Sequence, residues 1–172
     1  AHEETTKHMQ SHSRSNSGKM VHPIVGEAWQ GFDKDFPEFA EDRRNVRLVI
    51  AGDGFTPYKL NAAPYTCWPI FVAPLNLPLG ILLKPEYIFL SLVIPGPEHP
   101  GKNLSVLMQP LADELMQLWA GVETWDAYHK VNFPMKVEFL WSVHDYPAFG
   151  MVAGWSIHGK LACPECMSDS TA

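Results

Sequence analysis

Asn45-Val-Arg-Leu-Val-Ile-Ala-Gly-Asp53 decides how the chain is read. Val46, Leu48, Val49 and Ile50 suit a strand, and Gly52-Asp-Gly54 ends it, so the run predicts a compact strand with an acidic residue at its tip. The same design returns late in the chain. From Asn132 to Val143, the residues Met135, Val137, Phe139, Trp141 and Val143 alternate, and the run stops at His144-Asp145. Between the two runs, Cys67-Trp-Pro-Ile-Phe-Val-Ala73 predicts a second strand, with Pro69 tolerable near its start. Glu86-Tyr-Ile-Phe-Leu-Ser-Leu-Val-Ile94 predicts a third. Its nearly continuous apolar character predicts burial on both faces.

Leucines and Trp119 recur at three- and four-residue spacing from Leu104 to Gly121, which predicts a helix with Gly121 as its C-cap. A helix inserted between strands supports parallel pairing of the fourth strand with an earlier one. The order is then helix, strand, strand, strand, helix, strand, an α/β plan. The opening helix covers about Val25 to Lys34, with Ala28, Trp29 and Phe32 in register, and ends before Pro37. Ala148 to Trp155 is Gly-rich and reads as a short helix or a tight connection. Residues 1–19 alternate Ser with His, Arg and Asn and read as a flexible segment; the domain proper starts at Met20.

Composition bounds the rest. The chain has 172 residues, of which 46% are hydrophobic, so it can bury a core and is not globally disordered. No apolar run approaches the roughly 20 residues of a membrane span, and no secretory signal is visible. Three cysteines do not make a disulfide framework, which favours a reducing compartment, cytosol or nucleus. A net charge of −6 argues against a surface that grips nucleic acid by charge alone. The chain starts at Ala1 rather than Met and stops soon after a tight motif, so it reads as a fragment of a longer protein.

Asp53 and Asp145 are the candidate chemistry. If the first and fourth strands lie side by side and parallel, both carboxylates emerge at one sheet edge, where α/β sheets place ligands. Such a pair repels unless a divalent cation neutralises it, and oxygen donors suit Mg²⁺ or Mn²⁺. Ions clamped there would activate a water or a 3′-hydroxyl for in-line attack on a phosphodiester. Against this stands the common use of Asp at strand ends as turn-former and helix cap. Cys163-Pro-Glu-Cys166 has the spacing of half a zinc site, with His158, Cys67 or later residues as candidate partners. A redox pair and incidental cysteines are the other two readings. His22, His99 and His129 are isolated, and His144 flanks Asp145. Trp29, Trp68, Trp119 and Trp141 read as core by pattern, and Trp155 as packing near the site. Arg43, Arg44 and Arg47 read as a solvated face beside Glu41 and Asp42.

Several ordered motifs resemble the catalytic region of plant CACTA (En/Spm-type) transposases. They are Met20-Val-His-Pro23, Glu27-Ala-Trp-Gln-Gly-Phe-Asp33, Arg44-Asn-Val-Arg-Leu48 leading to Asp53-Gly-Phe-Thr-Pro57, Tyr65-Thr-Cys-Trp-Pro69 and Asn76-Leu-Pro78. Ile94-Pro-Gly-Pro97, Gln109-Pro-Leu-Ala-Asp-Glu-Leu115, Asp145-Tyr-Pro-Ala-Phe-Gly-Met151, Gly154-Trp-Ser156 and Gly159-Lys-Leu-Ala-Cys-Pro-Glu-Cys166 continue the match to the end. The resemblance implies an RNase H-like DDE/D core: three antiparallel strands, a helix, then a fourth strand parallel to the first. It implies that Asp53 and Asp145 are the first two catalytic acids and bind Mg²⁺ or Mn²⁺ for strand nicking and strand transfer. It places the third acid on a later helix, beyond Ala172, so the fragment alone is expected to be inactive. It further implies transposon-end DNA as partner, self-association, a nuclear location and DNA-gripping surfaces outside this chain. The alternative is a domesticated, transposase-derived nuclear module that binds DNA or protein without catalysis.

Overall fold

A computed structural model describes residues 22–57, 65–97, 100–156 and 158–159. After a single 3-10 turn at Pro23–Val25, helix α1 spans Glu27–Asp35 and α2 spans Pro37–Glu41. Pro37 has no N–H to continue α1 and instead opens α2, where a first-turn N–H is not needed. Strands β1 (Val46–Gly52), β2 (Trp68–Pro74) and β3 (Phe89–Ile94) follow. Helices α3 (Leu104–Leu107) and α4 (Gln109–Ala120) come next, then β4 (Val122–Asp126), β5 (Val131–Met135), β6 (Val137–Val143) and α5 (Tyr146–Val152).

The main sheet has the order β3-β2-β1-β6. The pair β1 and β6 is parallel and the other pairs are antiparallel, the mixed α/β arrangement expected from the strand and helix order. A second sheet is the antiparallel hairpin β4-β5, registered from Val122 opposite Met135 to Asp126 opposite Val131. The fold divides into two compact units. The first comprises residues 1–49, 72–89 and 113–141; the second comprises 50–71, 90–112 and 142–172. The first unit's core gathers Trp29, Val49, Ala73 and Leu75, flanked by Ile24, Leu82, Leu140 and Trp141. The second gathers Trp68, Ile94, Leu104 and Ala148, flanked by Leu92, Met108, Met151 and Val152.

Several sequence expectations need correction. The single helix from Leu104 to Gly121 is two helices, because Pro110 has no N–H to offer the carbonyl of Val106. Gly121 does end the second, at φ +105°, and leads straight into β4. The strand from Asn132 to Val143 is likewise two. Lys136 separates them, with its N–H on Asn45 Oδ1 at 2.8 Å and its carbonyl accepting from Val46 N at 2.9 Å. The β4-β5 hairpin has no counterpart among the sequence expectations. Finally, β3 is a sheet edge with Phe89, Leu90 and Val93 exposed, not a strand buried on both faces. It is β1 and β2 that each lie between two partners.

Of the three arginines, Arg43 is exposed as expected, whereas Arg44 and Arg47 are not a solvated face. Arg47 is 2% exposed, ion-paired with Asp33, with its guanidinium 4.5 Å from the Trp29 ring and 5.0 Å from the Phe39 ring. Burial pushes it below its ordinary pKa, and the nearby Asp33 charge opposes that. Arg44 holds Asp42 at 2.6 Å and Asp126 at 3.2 Å while lying over the Phe133 ring. Trp119 is partly exposed, stacked on Phe39 at 5.5 Å, rather than core. Trp29 and Trp68 are buried, as their pattern predicts. His22 is buried and satisfied, with Nε2 donating to Leu77 O at 2.9 Å and Nδ1 accepting from Ile24 N at 3.2 Å.

The hairpin turn carries a pH dependence. Asp126 accepts from His129 Nδ1 at 2.7 Å, from the backbone N–H groups of Tyr128 and His129, and from Arg44. These donors, His129 first, hold its carboxyl well below the usual value of 3.8. A depressed carboxyl stabilises the fold above its unfolded pKa and loses that contribution as pH falls toward the folded one. The melting temperature is therefore expected to hold down to about pH 4 and drop below it. Asp126→Asn is expected to flatten that acid limb, which thermal melts at a series of pH values would check.

Candidate active site

The ends of β1 and β6 converge in the second unit, where the strands are parallel neighbours. Gly52 closes β1. A Cβ on it would stand 2.5 Å from Ile70 Cδ1 and 3.8 Å from His144 Cε1, so only glycine fits here without displacing Ile70. His144 follows β6, and its Nδ1 lies 2.9 Å from Gly52 O. A carbonyl only accepts, so Nδ1 is the donor. Nε2 is buried with no hydrogen-bond partner among the described residues.

One residue beyond each of these two stands a predicted acid. Asp53 is exposed, and its Oδ1 accepts from Gly54 N at 2.7 Å. Gly54 lies against Trp68, whose indole would be 2.6 Å from a Cβ placed there. Two reciprocal 3.0 Å bonds between Phe55 and Cys67 pin the chain just after it. Asp145 is exposed too and N-caps α5, its Oδ1 accepting from Ala148 N at 2.8 Å. Each carboxylate therefore spends one oxygen on its own turn. Each keeps Oδ2 without a protein partner among the described residues.

So the two roles weighed from the sequence coexist. The Asp residues are turn and cap formers, and each retains an outward oxygen. Hard oxygen donors of this kind fit Mg²⁺ or Mn²⁺ as part of a ligand set. Among the described residues no group of three or more His, Cys, Asp or Glu joins them. Cys163 and Cys166 lie outside the described residues, as does His99; Cys67 is a buried free thiol. Trp155 lines an open cavity along α5 with Pro147, Met151 and Ser105. Sequence reasoning undervalued His144. Its signal was present, a polar residue sandwiched between a strand end and an acid, but its partner Gly52 is apparent only once β1 and β6 are paired.

The cap separates two substitutions at Asp145. Asp145→Ala removes the Ala148 bond and is expected to cost about 1 kcal/mol of stability, whereas Asn is an equally good cap. Urea unfolding of both variants checks this, and it makes Asn the clean probe of any chemical role.

No helix among the described residues is long and apolar enough to cross a membrane. No curated protein and no solved structure is a match to the chain. A sequence profile of the transposase family tnp2 matches residues 17–172, nearly the whole length, and covers both strand-end acids. The chain belongs to this family of En/Spm-type transposases.

Proposed function

We propose that the chain supplies two of the three acids of an RNase H-like DDE/D transposase site, with Asp53 and Asp145 as ligands of Mg²⁺ or Mn²⁺. The observation that carries this reading is the placement of two exposed carboxylates just past the ends of adjacent parallel strands, each with one oxygen uncommitted. A divalent cation bound there would supply Lewis-acid charge for attack on a phosphodiester. The protein's part is geometric. The Gly54 N–H and the α5 N-terminus fix one oxygen of each carboxylate, which limits how the other can turn.

The partner in this reading is transposon-end DNA, the setting is the nucleus, and copies self-associate to hold two ends. In this reading the site needs a third carboxylate, and the 172-residue chain by itself is expected not to cut DNA. The second reading is a transposase-derived module that binds without catalysis. Nicking of end-bearing DNA by a transposase that contains this chain discriminates them. Nicking retained after Asp53→Asn or Asp145→Asn would refute the catalytic reading. Structural zinc at Cys163 and Cys166 is proposed on their spacing alone; elemental analysis of the purified chain finding no zinc would exclude it.

A further inference from the structure

We propose that His144 is the positioning residue of the carboxylate pair, setting where Asp145 stands relative to Asp53. The inference rests on the reading of those two acids as cation ligands. His144 immediately precedes Asp145, and its Nδ1 donates at 2.9 Å to the carbonyl of Gly52, which immediately precedes Asp53. One side chain thus ties the backbone beside one carboxylate to the backbone beside the other. The cap bond of Asp145 holds it to α5, and the turn bond of Asp53 holds it to Gly54; neither reaches across.

The approach is built for this ring. Gly52 has no Cβ, and the space where one would stand is shared by Ile70 and the His144 Cε1 edge. The donor is committed by a strict acceptor, so the ring orientation is fixed by the bond rather than by packing alone. The other ring nitrogen, Nε2, is buried with no partner among the described residues, so the Gly52 carbonyl is the one group that orients the ring by a hydrogen bond among them. Residues that hold ligands in place, without touching the metal, commonly change its affinity about 10–100-fold when lost.

The test is Mn²⁺ binding to the full 172-residue chain, read as loss of the free-ion electron paramagnetic resonance signal. His144→Phe keeps a ring and removes the donor; it is expected to weaken Mn²⁺ binding about tenfold or more while the protein stays folded by circular dichroism. His144→Asn places an amide N–H at the position of Nδ1 and is expected to restore most of the affinity. Should His144→Phe fail to fold, His144→Ala, which adds no bulk, carries the same expectation. If these variants lower the melting temperature but bind Mn²⁺ like the unaltered chain, while Asp53→Asn does not bind, His144 is structural only and the inference is overturned by itself. If Asp53→Asn binds as well as the unaltered chain, or the unaltered chain does not bind, the ligand reading fails and takes the inference with it.

Discussion

On the proposed reading, Asp53→Asn and Asp145→Asn are each expected to lower metal-dependent strand nicking by a transposase that contains this chain, by about a thousandfold or more. The size follows from what is removed. An amide keeps the shape and the local bond: its oxygen at position 53 still accepts from Gly54, and its oxygen at position 145 still caps α5. It loses the negative charge that, in the proposed site, would hold a divalent cation in competition with water. Several kcal/mol of transition-state stabilisation depend on such an ion, and about 4 kcal/mol is a thousandfold in rate. DNA binding without cutting is expected to survive both changes. A gel-shift and a nicking assay run on the same preparations separate the two effects.

Asp33→Ala destabilises the chain by about 3 kcal/mol, while Arg47→Met costs far less or nothing. Arg47 is the most deeply buried cation among the described residues, inside a cage of Trp29 and Phe39. Asp33 is its ion-pair partner and also accepts from Trp29 Nε1 at 3.1 Å. Removing the acid strands a charge and an indole N–H together. Removing the cation with a side chain of similar length leaves apolar packing and an acid that is still partly solvated. Urea midpoints for the two variants, measured at pH 7, are expected to differ in this order; equal losses would mean that the pair stabilises the fold as a net attraction.

The strand ends that carry the acids were legible because they are local. Four apolar residues closed by Gly52-Asp-Gly54 need no distant partner to read as a strand with an acidic tip. The helix break at Met108 was legible in principle, since Pro110 announces it, but the leucine stripe runs through the break unchanged. The Val122–Asp126 strand alternates as a strand should, yet it begins one residue after a helix, and only the positive φ of Gly121 makes that join. Periodicity does not tell which strand takes the edge of a sheet, because strand order is set by long-range pairing. That is why β3 was expected to be buried and β1 was not singled out. Arg47 read as solvated for the same reason: its acid lies on α1 and its rings on α1 and α2. The family was legible from motif order, and the match over residues 17–172 bears it out.

Calorimetric titration of Mn²⁺ into the 172-residue chain and into Asp53→Asn, Asp145→Asn and the double variant tests most directly whether the two acids act together. Ligands of one shared site are not additive, so each single substitution should abolish binding as fully as the double. Single variants that each keep part of the binding, with losses that add in the double, would contradict a site shared by Asp53 and Asp145.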